Sequence, residues 1–133
     1  IWLTLGAERL GPPGTMARSR EALDGILAKA GLDFPELVID NGAGLSRTTR
    51  ISARSLGRLL LHAADSPYRS EFEASLSIAG LDGTTRRRYR RDPMAGRMHL
   101  KTGSLNGVTS IAGFVRSESG QEYVVVPITN RSG

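Results

Sequence analysis

The stretch Arg97-Met98-His99-Leu100-Lys101-Thr102-Gly103-Ser104-Leu105-Asn106-Gly107 runs as a strand into a tight turn. It passes through Lys-Thr-Gly-Ser and ends on Asn-Gly, the dipeptide that most favours a two-residue hairpin connection. Such a strand delivers a cation, a hydroxyl and bare backbone to one place, the groups that hold an anionic, acyl-bearing ligand. Lys101 is one of only two lysines beside 16 arginines. Where guanidinium is the default, an ammonium marks a compact point charge or a titratable base, which arginine cannot supply. Thr102 carries a hydroxyl suited to a carboxylate beside Lys101, Gly103 permits close backbone approach, and the Ser104 N–H can donate to an oxyanion. The same residues also fit an ordinary solvated edge strand ending in a turn.

A chain of 133 residues with 39% hydrophobic content is long enough for one domain, or part of one, with a real core. Its longest apolar runs, residues 59–61 and 123–128, are far shorter than a bilayer span. The chain opens on Ile1-Trp2-Leu3-Thr4-Leu5, without Met or a signal-peptide pattern, as though a helix had been entered partway along. A piece of a longer chain is therefore expected. The lack of cysteine excludes disulfides, thiolate metal sites and a cysteine nucleophile, and leaves the compartment open. The net charge of +5 favours anionic partners in general.

In chain order, residues 1–10 read as helix, stopped by Gly11-Pro12-Pro13-Gly14. Thr15 is placed to cap a helix over residues 16–30, with Met16, Leu23, Ile26 and Leu27 on one face and Gly31 just past its end. Residues 34–39 form a short extended segment, and the glycine-rich stretch from Asp40 to Arg47 is a tight, specific loop. Ser52 opens a helix over 53–64 with Leu56, Leu59, Leu60 and Ala63 inward, and Ser66-Pro67 opens another over 68–76. Gly80-Leu81-Asp82-Gly83-Thr84 is a turn. The tail, with strands over 108–116 and 121–130, is expected to form a three-stranded antiparallel meander with the Lys-Thr-Gly strand. Apolar residues at consecutive positions in Val124-Val125-Val126 predict cover on both faces of the last strand.

Other candidates are weaker. The residues three before the two lysines are Ile26 and Met98, so no Ser-x-x-Lys nucleophile motif exists. Ser104-Leu105-Asn106 spells Ser-x-Asn but overlaps the Lys-Thr-Gly run, and reads as turn chemistry. His62, among leucines on a helix, reads as a partly buried structural histidine, and His99 lacks partners at spacings that point to a triad. Two histidines and no cysteine argue against a metal site. Arg86-Arg87-Arg88-Tyr89-Arg90-Arg91 has the composition of a phosphate-binding segment, but no nucleic-acid fold signature accompanies it, and a solvated strand or loop is expected.

Several stretches together carry a resemblance. Asn41-Gly42-Ala43-Gly44-Leu45-Ser46-Arg47 with Ile51-Ser52-Ala53 resembles the Asp/Asn-Gly-Ser-Gly-Leu-Ser-Arg segment of the D-alanyl-D-alanine carboxypeptidase/endopeptidase group, the class C low-molecular-mass penicillin-binding proteins. Asp82-Gly83-Thr84 with Arg86, Ala95-Gly96, Lys101-Thr102-Gly103-Ser104-Leu105, Gly107-Val108 and Ala112-Gly113-Phe114-Val115 resemble that family's C-terminal third. Ala43 stands where the family usually has Ser, and Asn41 precedes the first glycine with Asp40 before it.

The resemblance implies an α/β fold of the α+β type, the C-terminal part of a β-lactamase/transpeptidase-like fold with an antiparallel sheet packed between helices. Residues 1–133 would be the C-terminal portion of that domain, with the Ser-x-x-Lys and Ser-x-Asn motifs upstream. The intact protein would be a periplasmic or secreted serine peptidase acting on peptidoglycan peptides, acylated by β-lactams, with neither metal nor organic cofactor. Lys101 would be catalytic, Lys101, Thr102, Gly103 and Ser104 would bind substrate, and the missing N-terminal part would be the chain's own partner. The readings from other classes are a non-catalytic binding or scaffold piece, and an Arg-rich nucleic-acid-binding module.

Overall fold

The computed structural model describes residues 1–131, which form two compact units, Ile1–Ser52 and the rest from Ala53 onward. In the first unit, helix α1 (Trp2–Leu10) packs on helix α2 (Met16–Lys29). Thr15 caps α2, its Oγ1 accepting from Arg18 N at 3.3 Å, and Gly31 beyond the helix takes φ 67°. The helices approach closely because the residues between them are small. A Cβ on Gly6 would lie 2.7 Å from Ser19 Oγ, and the fully buried Ser19 hydroxyl sits 2.9 Å from both Trp2 O and Thr15 O.

The extended segment predicted over 34–39 survives as a single antiparallel bridge, in which Val38 and Arg50 exchange backbone bonds of 3.0 and 2.9 Å. It closes the glycine-rich loop. Inside, Asn41 Oδ1 accepts from Ala43 N at 2.9 Å, Ser46 Oγ accepts from Thr48 N and Thr49 N at 3.0 Å each, and Gly42 and Gly44 adopt the positive φ that their neighbours avoid.

The second unit is a five-stranded antiparallel sheet with its helices. Helix α3 (Ala53–Ala64) follows the predicted bounds and buries Leu60. His62, expected partly buried, is exposed on it, because the inward stripe runs through Leu56, Leu59, Leu60 and Ala63. Helix α4 (Arg69–Ala74) is shorter than the predicted 68–76: Ser66 Oγ accepts from Tyr68 N and holds the first residues in a turn. Strand β1 (Ser77–Ile78), which the sequence did not reveal, pairs with β2 (Met98–Leu105). Between them lies a turn-rich segment with one 3-10 turn, Gly83–Thr85.

Strand β2 pairs with β3 (Val108–Arg116) at eight positions, from Met98 opposite Val115 to Leu105 opposite Val108. The Asn106-Gly107 connection uses φ 82° at Gly107 alone, so it is not the doubly left-handed turn that Asn-Gly usually makes. The predicted last strand is two, β4 (Glu122–Val125) and β5 (Ile128–Asn130), both paired with β3 in one continuous register. Pro127 breaks the ladder. Its carbonyl still accepts from Ile111 N at 3.1 Å, but it has no N–H to return, which an edge strand tolerates. The expected meander is thus the centre of a larger sheet.

Alternation along β2 gives the sheet two covered faces. Met98 and Leu100, the latter 2% exposed, pack with Ala79, Tyr89, Met94, Ile111, Val115 and Val125, beneath the segment between β1 and β2. Burying a leucine so completely contributes about 2 to 3 kcal/mol. On the opposite face, Phe114 meets Phe72 of α4 edge-on at 6.2 Å, and Val126 faces α3 at Gly57. The valines of the last strands are half-buried, while Tyr123 stays exposed.

Two glycine substitutions test this arrangement with opposite signs. A Cβ on Gly113, at φ 152°, would lie 2.0 Å from His99 O on the neighbouring strand, so Gly113→Ala is expected to cost about 3 kcal/mol or more. Gly25 lies exposed inside α2 with open space at its Cβ, so Gly25→Ala is expected to stabilise by about 0.5 to 1 kcal/mol. Denaturant midpoints of the two variants should move in opposite directions.

Candidate active site

The backbone of β2 presents one side to β3 and the other to β1. Arg116 N donates to Arg97 O and Ala79 N donates to Met98 O, both at 2.9 Å. Odd-numbered residues of β2 therefore bond to β3, and even-numbered ones face the other way. Strand β1 covers only His99 and Leu100, then stops. Beyond it the N–H groups of Thr102 and Ser104 point to an edge that no strand among the described residues occupies.

The side chains use the same edge. Lys101 is exposed, and its ammonium bends back to donate to Thr102 O at 2.5 Å, which brings the cation to the open side of the strand. Thr102 projects to the other face, where its hydroxyl lies 2.8 Å from the Thr84 hydroxyl. Thr84 is held from below. Thr85, beside it in the 3-10 turn, is fully buried, and Asp82 Oδ1 accepts from Ile78 N at 2.6 Å. Ser104 is exposed near the end of the strand. An ammonium, a braced hydroxyl and two free N–H groups together suit a carboxylate lying next to a developing oxyanion. Gly103 differs from its neighbours: its backbone bonds toward β3, and a Cβ there would lie 2.5 Å from Ser110 Oγ, a packing reason for glycine at this position.

Lys101, Thr102 and Ser104 are thus brought together by one strand edge. Thr84 was not found from sequence, since no spacing rule joins it to a residue 18 positions later; only the Asp-Gly-Thr turn marked its neighbourhood. Among the described residues, His99 has no serine partner. Its Nδ1 lies 3.3 Å from Glu73 O and its Nε2 3.7 Å from Glu73 Oε1, which ties β2 to α4 behind the open edge.

That rear face carries an ion-pair network. Glu122 on β4 bonds to Arg116 at 2.6 Å and to Arg69 of α4. Bonding to Arg116 first, and then to Arg69, holds the Glu122 carboxyl below its ordinary value of 4.5. Arg69 is pushed up, mainly by Glu122.

Comparison with known proteins agrees along the whole chain. Residues 1–133 match the D-Ala-D-Ala carboxypeptidase 3 (S13) family. The chain belongs to this family. It is 31% identical over 135 residues to the D-alanyl-D-alanine carboxypeptidase of Actinomadura sp. strain R39, covering 98% of this chain and 25% of that protein. Against carboxypeptidase DacB of Mycolicibacterium smegmatis the identity is 33% over 134 residues, covering 96% of this chain and 29% of the relative. The crystal structure of penicillin binding protein 4 (dacB) from Haemophilus influenzae, complexed with a novel β-lactam, is similar with a TM-score of 0.88 and 27% identity, over 97% of this chain and 30% of that one. This S13-family chain therefore spans between a quarter and a third of the length of these relatives, and the mixed α/β fold with an antiparallel sheet is that of the family.

The Glu122 network predicts an acid-side signature. A carboxyl whose pKa is lowered by folding adds stability that is present above its unfolded pKa, near 4.5, and disappears as pH falls through the lower folded value. Glu122→Gln should therefore destabilise at pH 7, and that effect should shrink progressively as pH falls below the ordinary carboxyl value of 4.5. Denaturant unfolding at pH 7, 5, 4 and 3 checks this; an equal effect at every pH would assign Glu122 a packing role only.

Proposed function

We propose that this S13-family chain is the C-terminal portion of a penicillin-binding, transpeptidase-like domain, and that the intact protein is a serine-type D-Ala-D-Ala carboxypeptidase/endopeptidase acting on peptidoglycan peptides in the periplasm or outside the cell. The observation that carries the reading is the open edge of β2, which offers the Lys101 ammonium, the Thr102 hydroxyl and the Ser104 N–H side by side. The family match and the β-lactam complex of the Haemophilus influenzae relative support it.

In this reading a peptide ending in D-Ala-D-Ala lies along the free edge as an added strand. Its terminal carboxylate meets Thr102 beside Lys101. A serine from the Ser-x-x-Lys motif of the remaining part of the protein attacks the carbonyl between the two D-alanines, and the neighbouring lysine takes the hydroxyl proton. The tetrahedral oxyanion accepts from the Ser104 N–H and from the serine's own N–H. Collapse breaks the peptide bond and releases D-alanine, or the cross-linked amine in the endopeptidase reaction, after the leaving nitrogen is protonated. Water then hydrolyses the acyl-enzyme. Lys101 supplies positive field throughout and joins the proton relay.

Labelling with a fluorescent penicillin followed by intact-mass measurement tests the reading. The isolated 133 residues should gain no adduct, because the attacking serine and its base lie outside them, whereas the intact protein should gain one at a stoichiometry near one. An adduct on the isolated chain would place the nucleophile within this sequence. In the intact protein, Lys101→Ala should slow acylation by about 100-fold or more with little loss of stability. Thr84→Val, which leaves the Thr102 hydroxyl unbraced, should slow acylation several-fold, and Thr84→Ser should restore it.

A further inference from the structure

The turn Arg86-Arg87-Arg88-Tyr89-Arg90-Arg91 plays no part in the site above, yet it holds the electrostatics of the whole chain. Its five guanidinium groups equal the net charge of +5, so every other basic residue is balanced in number by an acidic one. All five arginines are exposed, and none has a hydrogen-bonded or ion-pair partner for its side chain among the described residues. Elsewhere in this unit, Arg69, Arg97 and Arg116 each pair with a glutamate. The nearby carboxylates are already engaged. Asp92 Oδ1 accepts from Met94 N at 2.8 Å and Asp82 Oδ1 from Ile78 N at 2.6 Å.

The turn is also held in place. Tyr89 N donates to Thr85 O at 3.3 Å, Asp92 N donates to Tyr89 O at 3.1 Å, and the Tyr89 ring packs against the core of Met98, Leu100 and Ala79. Gly80, at φ 80°, fits beneath it with room for no Cβ, which would meet Tyr89 O at 2.8 Å. Arg87, Arg88, Arg90 and Arg91 line a concavity of about 460 Å³ with Asp92 and Pro93. Five like charges on a fixed turn repel one another and cost stability without any internal return. The segment that carries them also exposes Leu81, at 59%, with its Cδ1 beside Gly96.

We infer that this turn is a docking surface for an anionic phospholipid bilayer. Guanidinium forks match phosphodiester headgroups two bonds at a time, and an exposed leucine adds an apolar contact at the headgroup boundary. Contact of this kind is made at the headgroup surface and is weakened by salt. The surface is independent of the Lys101 edge and of the reaction proposed for it.

Cosedimentation of the full-length protein with vesicles tests the inference. Binding is expected to phosphatidylcholine vesicles containing phosphatidylglycerol, and not to phosphatidylcholine alone, and it should weaken as salt rises. Replacing Arg87, Arg88, Arg90 and Arg91 together by Gln should reduce binding by roughly several hundred-fold, about fivefold per charge, whereas replacing them by Lys should keep it within about tenfold. Circular dichroism monitors folding of both variants. Equal binding to both kinds of vesicle, a Gln variant that binds as the original does, a Lys variant as weak as the Gln one, or capture of soluble polyphosphate without binding to vesicles would each overturn the inference. Equal binding to the two vesicle types does so even if a variant fails to fold.

Discussion

The pairing of β2 with β3 is the constraint on which the rest of the second unit depends. Eight opposed residues on either side of a two-residue turn set which side chains of β2 face each side of the sheet. A slip of one residue would turn Leu100 out of the core and drive the Lys101 ammonium into it, so the burial of Met98 and Leu100 holds the register. The same register decides which amides are spent on β3 and which remain. Because β1 ends opposite Leu100, the first residues with unspent amides on the free side are Thr102 and Ser104. The candidate site is thus the place where, among the described residues, the sheet runs out of strands.

An unpaired edge is ordinarily a liability, since it invites pairing with any extended chain. Here the cover is confined to one end of β2, and the exposed part bears a lysine, the usual guard of such an edge. The hydroxyl pair of Thr84 and Thr102 joins this edge to a turn whose neighbour, Thr85, is fully buried. The hydroxyl that braces Thr102 thus sits next in the chain to a fully buried residue. On the rear face, Glu73 of α4 lies against His99, and Glu122 joins Arg69 of α4 to Arg116 of β3.

Charge is divided between two uses. Arg69, Arg97 and Arg116 are paired with glutamates; the side chains of the five arginines in the turn between β1 and β2 are paired with nothing among the described residues. Exposed pairs add little stability apiece, so the network matters chiefly for orientation. The unpaired turn is a different case: its backbone bonds and the Tyr89 ring packed on the core hold its like charges close together.

Local signals alone determined much of this protein. Thr15 before an amphipathic run, Gly31 after it, Ser52 before a leucine stripe and Asn106-Gly107 between two alternating segments marked α2, α3 and the central hairpin, since caps and turns depend on a few neighbouring residues. Lys101, Thr102 and Ser104 were legible for the same reason: they are adjacent on one strand. The tertiary structure alone decided that β1 exists, because two residues such as Ser77 and Ile78 become a strand only when β2 supplies their partners. It alone brought Thr84 to Thr102, gave Ser110 the space at Gly103 and left His62 in solvent. Contacts between residues far apart in sequence leave no periodicity behind, and they arise only when the sheet closes on its covering segments.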